Sequence, residues 1–315
     1  MIKLENLCFE YPNKLALDNI SFYLEKGSIT ALVGPNGAGK TTLMNCIAAL
    51  EEPISGSVTI DGIVTTKDPR QVHKKIGYLA DFFGIYKYLT VRQSLEFFAR
   101  IHQINLKFQA SETQNKSAFK NKIEEIAHSL NLSQYLDFEA GSLSRGFRQV
   151  LGIAQALIHD PEILILDEPT SGLDPEAREN LANLFHQLSK RNMTILVSSH
   201  IISELEDYCQ DMILIRDGKL IEHCKKNSNQ TKSKINKVKI SLFDDPKKYL
   251  DQILTFDKIV SAEIIDGQIE CEFNGEEKDL NFLLKNFVDK AIPIAGFSSI
   301  ESSLKDIYFK HSKKI

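Results

Sequence analysis

An α/β core with a largely parallel sheet is the fold class that this 315-residue sequence predicts. Three observations predict it. Short aliphatic runs recur along the chain: SITALVG (28–34), ILIL (163–166) and TILVSSH (194–200). Stretches with helical periodicity separate them, the pattern of strands joined by crossover helices. The first run enters a Gly-rich turn that opens directly onto a helix-like segment, GPNGAGKTT (34–42).

In chain order, residues 3–9 alternate as a strand does, and 28–34 is the first apolar strand. Thr41 to Leu50 reads as a helix, with Leu43, Ile47 and Leu50 on one face. SVTIDG (57–62) is a strand and turn, and 90–160 is mostly helical in pattern, with a polar stretch near 103–120. Strands return at 163–166 and 194–198 with a helical segment between them, so the helical middle reads as inserted into the α/β core. Composition then shifts. KKNSNQTKSKINK (225–237) is Lys/Asn/Ser-rich and reads as a linker, the alternative being a solvated loop within one domain. Beyond it come a strand (238–243), a helix (246–254), a hairpin turning at Asp266-Gly267, a helix (277–289), a strand (291–297) and a last helix (301–311). The order β-α-β-β-α-β matches a ferredoxin-like split unit.

Composition narrows the function. Hydrophobic residues make up 43% and charged residues 25%, as in soluble globular proteins. A net charge of -4 gives no general reason to expect nucleic acid or an anionic membrane as partner. The five cysteines (8, 46, 209, 224, 271) form no CxxC or His/Cys cluster, so neither a disulfide framework nor a zinc site is indicated, and a reducing cytoplasm is the simplest setting. No window approaches the roughly eighteen apolar residues that span a bilayer. The start lacks the apolar core of a signal peptide. If the protein works at a membrane, another chain must cross it.

The Gly-rich turn is a phosphate loop by its spacing, G-x-x-x-x-G-K-[ST]. Gly34, Pro35, Asn36, Gly37, Ala38 and Gly39 form the turn, whose N–H groups can cradle phosphate oxygens. The helix that follows adds its partial positive end. Lys40 can bridge terminal phosphates, the Thr41 hydroxyl can ligate Mg²⁺, and Thr42 completes the motif. ILILDE (163–168) is an aliphatic strand ending in two acids; in parallel sheets ligands bind beyond such ends. Asp167 is placed to hold Mg²⁺, and Glu168 to act on an attacking water as general base. His200 ends the next strand, where it can contact a γ-phosphate and position water. A second Ser/Gly turn, LSRGFRQ (143–149), opens onto another helix-like run. That helix carries the chain some 20–25 Å at about 1.5 Å per residue. The distance disfavours a return of this turn to the chain's own nucleotide, although spacing alone leaves that open.

In order, GPNGAGKTT, LSRGFRQ, ILILDE, SGLD and His200 resemble the ATP-binding subunits of ABC transporters, across residues 1–223. The segment 143–175 is most similar to the subfamily that powers ABC-2-type exporters, and SSLKDIYFK resembles the end of its tail. The resemblance implies a P-loop NTPase core with an inserted helical subdomain and N-terminal antiparallel strands, plus a small α+β domain. The expected boundaries are 1–224 (helical subdomain about 85–160), 225–237 and 238–315.

The resemblance also implies residue roles. Tyr11 stacks on adenine, or else packs ordinarily on a strand edge. Lys40, Thr41, Asp167, Glu168 and His200 take the roles above, and Asp174 faces the opposing subunit. Ser144 and Gly146 contact ATP held by the other subunit. Two positions depart from the family pattern: Asp81 stands where Gln is usual, and Arg145 where Gly is usual. Asp81 is expected still to sense Mg²⁺ or water, its carboxylate being a harder ligand than an amide. Phe82, Phe83 and Tyr86 either line a groove for a membrane partner's helix or pack the helical subdomain.

The function expected is an ATPase subunit that binds and hydrolyses ATP between two copies and drives export. It needs ATP, Mg²⁺, a membrane-spanning permease and a second ATP-binding subunit, taken to be a second copy. No nucleic-acid partner is expected, and the place expected is the inner face of the cell membrane. The alternatives are a soluble ABC-type ATPase acting on nucleic acid or ribosomes, and a small-molecule kinase. The latter explains the phosphate loop but neither LSRGFRQ nor SGLD.

Overall fold

Every residue of β3 (Ile29–Val33) is buried, and in the computed structural model it is the middle of a parallel sheet. The structure describes residues 1–102, 112–201, 205, 208–209, 211–225, 235–275 and 277–300. β3 pairs in parallel with β8 (Thr194–Ser199) on one side and β9 (Asp211–Arg216) on the other. β7 (Ile163–Leu166) and then β6 (Ile76–Leu79) extend the sheet beyond β8, also in parallel, and β10 (Lys219–Lys225) closes the far edge antiparallel to β9. The carboxyl ends of β3, β8, β7 and β6 therefore emerge side by side. β6, β9 and β10 are not legible as strands in the sequence.

A second sheet is antiparallel, in the order β2-β1-β4-β5, from β1 (Ile2–Tyr11), β2 (Lys14–Leu24), β4 (Ser55–Ile60) and β5 (Ile63–Val64). Only parts of β1 and β4 are legible as strands in the sequence. α1 (Lys40–Ile47) joins the two sheets: Leu43, Met44 and Ile47 share one core with Ile2, Leu7 and Ile20 of the antiparallel sheet and with Leu32, Ile165 and Leu196 of the parallel one.

The helical region holds α3 (Val91–Ile101), α4 (Glu112–Ser129) and α5 (Arg145–Leu157), following the short α2 (Pro69–Lys75). α3 starts at a capping box, Thr90 with Gln93. α5 is tied to α3 by a buried bond from Gln155 Nε2 to Ser94 Oγ, 2.8 Å. α6 (Pro175–Lys190) begins with Pro at its first position, after Asp174, whose carboxylate accepts the Ala177 N–H at 2.8 Å.

The chain divides into two compact units, residues 1–226 and 227–315. The second contains β11 (Ile235–Leu242), α7 (Leu250–Leu254), β12 (Ile259–Ile265), β13 (Gln268–Gly275), α8 (Glu277–Asp289) and β14 (Ile294–Ile300). Its sheet order, β12-β13-β11-β14, is that of a split βαβ unit. The hairpin turns at Asp266 (φ 49°) and Gly267 (φ 76°), both left-handed as a type I′ turn requires. Val238, Ile240, Cys271, Phe273 and Phe287 belong to its own core. Two strands reach into the stretch 225–237 expected as linker: β10 runs to Lys225 and β11 starts at Ile235. The last helix expected, 301–311, lies outside the described residues.

Candidate active site

The phosphate-loop turn leaves β3 at Gly34 and becomes α1 at Lys40. Gly39, at the helix N-cap, has φ 103°, and a Cβ there would stand 2.7 Å from the Ala16 carbonyl oxygen. Only glycine meets both demands. The first turn of α1 carries no acid, so its unpaired N–H groups and positive dipole end are left for an anion. Lys40 is buried, and its Nζ donates to the carbonyls of Gly34 (2.8 Å) and Pro35 (3.4 Å).

The acidic residues reach this turn from the neighbouring strand ends. Thr41 Oγ1 donates to Asp167 Oδ2 at 2.6 Å. Glu168 Oε1 lies 3.8 Å from Lys40 Nζ, and both side chains are largely buried. Glu168 adopts φ 49°, a strained conformation for a non-glycine residue. His200 Nδ1 lies 2.8 Å from Glu168 Oε2, a hydrogen bond when Nδ1 carries the proton. The buried hydroxyl of Ser198 donates to Asp167 Oδ1 and accepts the Glu168 N–H at 2.9 Å, fixing both acids at once. Ser198 escaped the sequence reading; the only signal was a pair of hydroxyls, Ser198-Ser199, ending an aliphatic strand before His200.

Lys40, Thr41, Asp167 and Glu168 line a cleft of about 230 Å³ together with Tyr11, Asn36, Gly37, Thr42 and Asp81, and His200 is not among its lining residues. Tyr11 stands edge-on to Phe9, 4.9 Å between ring centroids, and its hydroxyl lies 3.3 Å from Thr42 Oγ1. Asp81 follows β6. Partial desolvation and the nearby Asp167 charge raise its carboxyl above the ordinary range, and Arg145 and His200 offset part of that rise. The Thr41 hydroxyl and the carboxylates of Asp167 and Asp81 thus offer three hard oxygen donors along one cleft. That donor set suits Mg²⁺ carried in on a phosphate.

Ser144 and Gly146 are absent from the cleft lining. Ser144 caps α5, its Oγ accepting the Phe147 N–H at 3.3 Å. Of the three aromatics after Asp81, Phe82 is 94% exposed and Tyr86 is also exposed, but Phe83 turns inward onto α5. No helix among the described residues is long and apolar enough to cross a membrane.

The family described as "ABC transporter" matches residues 17–171. The bacitracin transport ATP-binding protein BcrA of Bacillus licheniformis is 34% identical over 98% of this chain and 96% of its own length. The ABC transporter ATP-binding protein NatA of Bacillus subtilis (strain 168) is 37% identical over 65% of this chain and 80% of its own length. Among solved structures, a dimeric ATP-binding cassette in a post-hydrolysis state with ADP and Pi superposes with a TM-score of 0.64 at 26% identity, covering 72% of this chain and all of that one.

Proposed function

Since this chain belongs to the ABC transporter family of ATP-binding subunits and is an ATP hydrolase that drives transport with a partner, we propose that its residues divide that work as follows. One observation carries the reading: Lys40, Thr41, Asp167 and Glu168 converge from separate elements on one anion-binding turn. ATP enters with its phosphates on the N–H groups of 34–41 and its adenine against Tyr11. Lys40 exchanges the Gly34 and Pro35 carbonyls for phosphate oxygens. Glu168 takes the proton of the attacking water, and His200 holds the Glu168 carboxylate in place. Thr41, Asp167 and Asp81 hold Mg²⁺, which when bound neutralises charge on the transferred phosphoryl group.

Ser144 and Gly146 reach the nucleotide of a second copy, with Asp174 near the contact. The membrane is crossed by a separate permease subunit, which the exposed Phe82 and Tyr86 suit as docking residues. That places the subunit on the inner face of the membrane, and the direction of transport is export. The 1–224 region does the chemistry and 238–315 is an accessory domain.

The Glu168→Gln variant tests this. It should bind ATP with Mg²⁺, accumulate as a dimer in size-exclusion chromatography, and turn over slower by roughly 10²–10⁴-fold, the usual worth of a positioned base. Hydrolysis at the wild-type rate would remove Glu168 from the role of base.

A further inference from the structure

α5 holds Ser144 at its N-terminus and, two turns on, a buried glycine, Gly152. Glycine inside a helix costs about 1 kcal/mol relative to alanine, so the missing side chain calls for a reason. The reason is spatial. A Cβ at position 152 would stand 2.7 Å from Phe83 Cε2 and 2.9 Å from Leu79 Cδ1. The ring of Phe83 therefore fills a notch that any side chain would close.

Phe83 belongs to the loop that leaves β6, and that loop meets the site as well as the surface. The Leu79 carbonyl accepts the Asp167 N–H at 2.9 Å. Asp81 lines the nucleotide cleft. Phe82 points into solvent, and Tyr86 stands edge-on to Phe97 of α3, 5.4 Å between centroids. One wedge thus touches α5 from a loop whose neighbours face the cleft on one side and solvent on the other.

We propose that Phe83 is a positioning residue which, seated in the Gly152 notch, makes the 80–88 loop and α5 move together, and with α5 the Ser144–Gly146 turn. The inference rests on reading that turn as the half-site offered to a second copy's nucleotide. Close-packed contacts hold one arrangement or another and do not deform continuously. Gly152 lies eight residues beyond Ser144, about 12 Å along a rigid helix. A displacement of the wedge therefore reaches the half-site, and closure on ATP reaches the loop.

The chain contains no tryptophan, so Phe82→Trp supplies a single emitter beside the wedge. In a Phe82→Trp/Glu168→Gln protein, ATP with Mg²⁺ should shift the emission as the dimer forms. Adding Gly152→Ala should shrink that shift at least fivefold. Affinity for a fluorescent ATP analogue should stay within twofold. Should the added methyl unfold the region, Phe83→Leu on the Gly152 background removes the ring edge instead and should shrink the shift likewise. A full-sized shift in either folded variant overturns the proposal. So does a dimer that forms on ATP without any shift in the Gly152 protein. Failure of ATP to induce a dimer at all would instead remove the half-site reading, and the proposal with it.

Discussion

Two glycine-bearing turns open helices in this molecule, and they are built on opposite plans. The 34–41 turn is interlocked with its own chain: Gly39 is left-handed with no room for a Cβ, Lys40 bonds back to Gly34, and Thr41 bonds Asp167. The 144–146 turn is an ordinary serine cap with extended backbone at Ser144 (φ −60°, ψ 164°). Gly146 is not left-handed, and a Cβ there would meet the Ala177 Cβ at 3.6 Å and Leu173 Cδ2 at 3.8 Å, ordinary contact distances. Glycine at 39 serves the fold; glycine at 146 does nothing the fold needs. A residue the fold can spare, at the exposed positive end of a helix, is best explained by something that approaches from outside the chain.

The same chemical change at both positions should separate the two plans. Gly39→Ala is the larger effect. The new methyl meets the Ala16 carbonyl, and the left-handed backbone is strained as well, so we expect a loss of about 2–3 kcal/mol of stability and no measurable ATP binding. A melting temperature equal to wild type would show that the turn relaxes, and would end the contrast. Gly146→Ala should leave the melting temperature unchanged or slightly raised, since alanine is the better helix former. Its ATPase rate, measured at a concentration where wild type dimerises, should fall at least tenfold. Wild-type turnover in that variant would mean that the exposed turn makes no close approach.

The contrast also explains what the sequence disclosed. The phosphate loop and the ILILDE strand end were legible because each is local: a spacing, a run of aliphatics, two acids. β2 was hidden by register shifts against β1 near Leu7 and Phe9, which break the alternation that marks a strand. β6 was hidden by Gly77, which reads as a turn residue. It is there because α5 crosses so closely that a Cβ would stand 2.2 Å from the Ala156 carbonyl oxygen. β11 begins among Lys and Asn residues whose composition outweighed their pattern. Ser198 and the Phe83–Gly152 contact join residues 31 and 69 positions apart, and no local rule connects them.

The smallest effect concerns the other end of α5, where the comparison between a locked and an open region can be sharpened by pH. His159, two residues past the helix, stacks flat on His102 at the end of α3, with 3.8 Å between ring centroids and 2° between planes. Its Nε2 lies 3.0 Å from the Ile76 carbonyl oxygen. Burial, and then the facing His102, lower His159 to about 4, against an opposing pull from the Ile76 carbonyl and Asp160. His102 is lowered as well, by burial and by His73. A histidine held neutral in the fold and free to ionise when unfolded stabilises fully above pH 6.5 and loses that contribution as pH falls toward 4, because the unfolded chain then binds more protons. Discounted for partial solvent screening, the pair should cost about 1–2 kcal/mol between pH 7 and pH 5. His102→Phe keeps a ring on the stack and removes one site of protonation, so urea denaturation at the two pH values should show a smaller drop than wild type. An undiminished drop would mean that the stack is not what ties the C-terminal end of α5 to α3, leaving the bond between Gln155 and Ser94 to carry that junction.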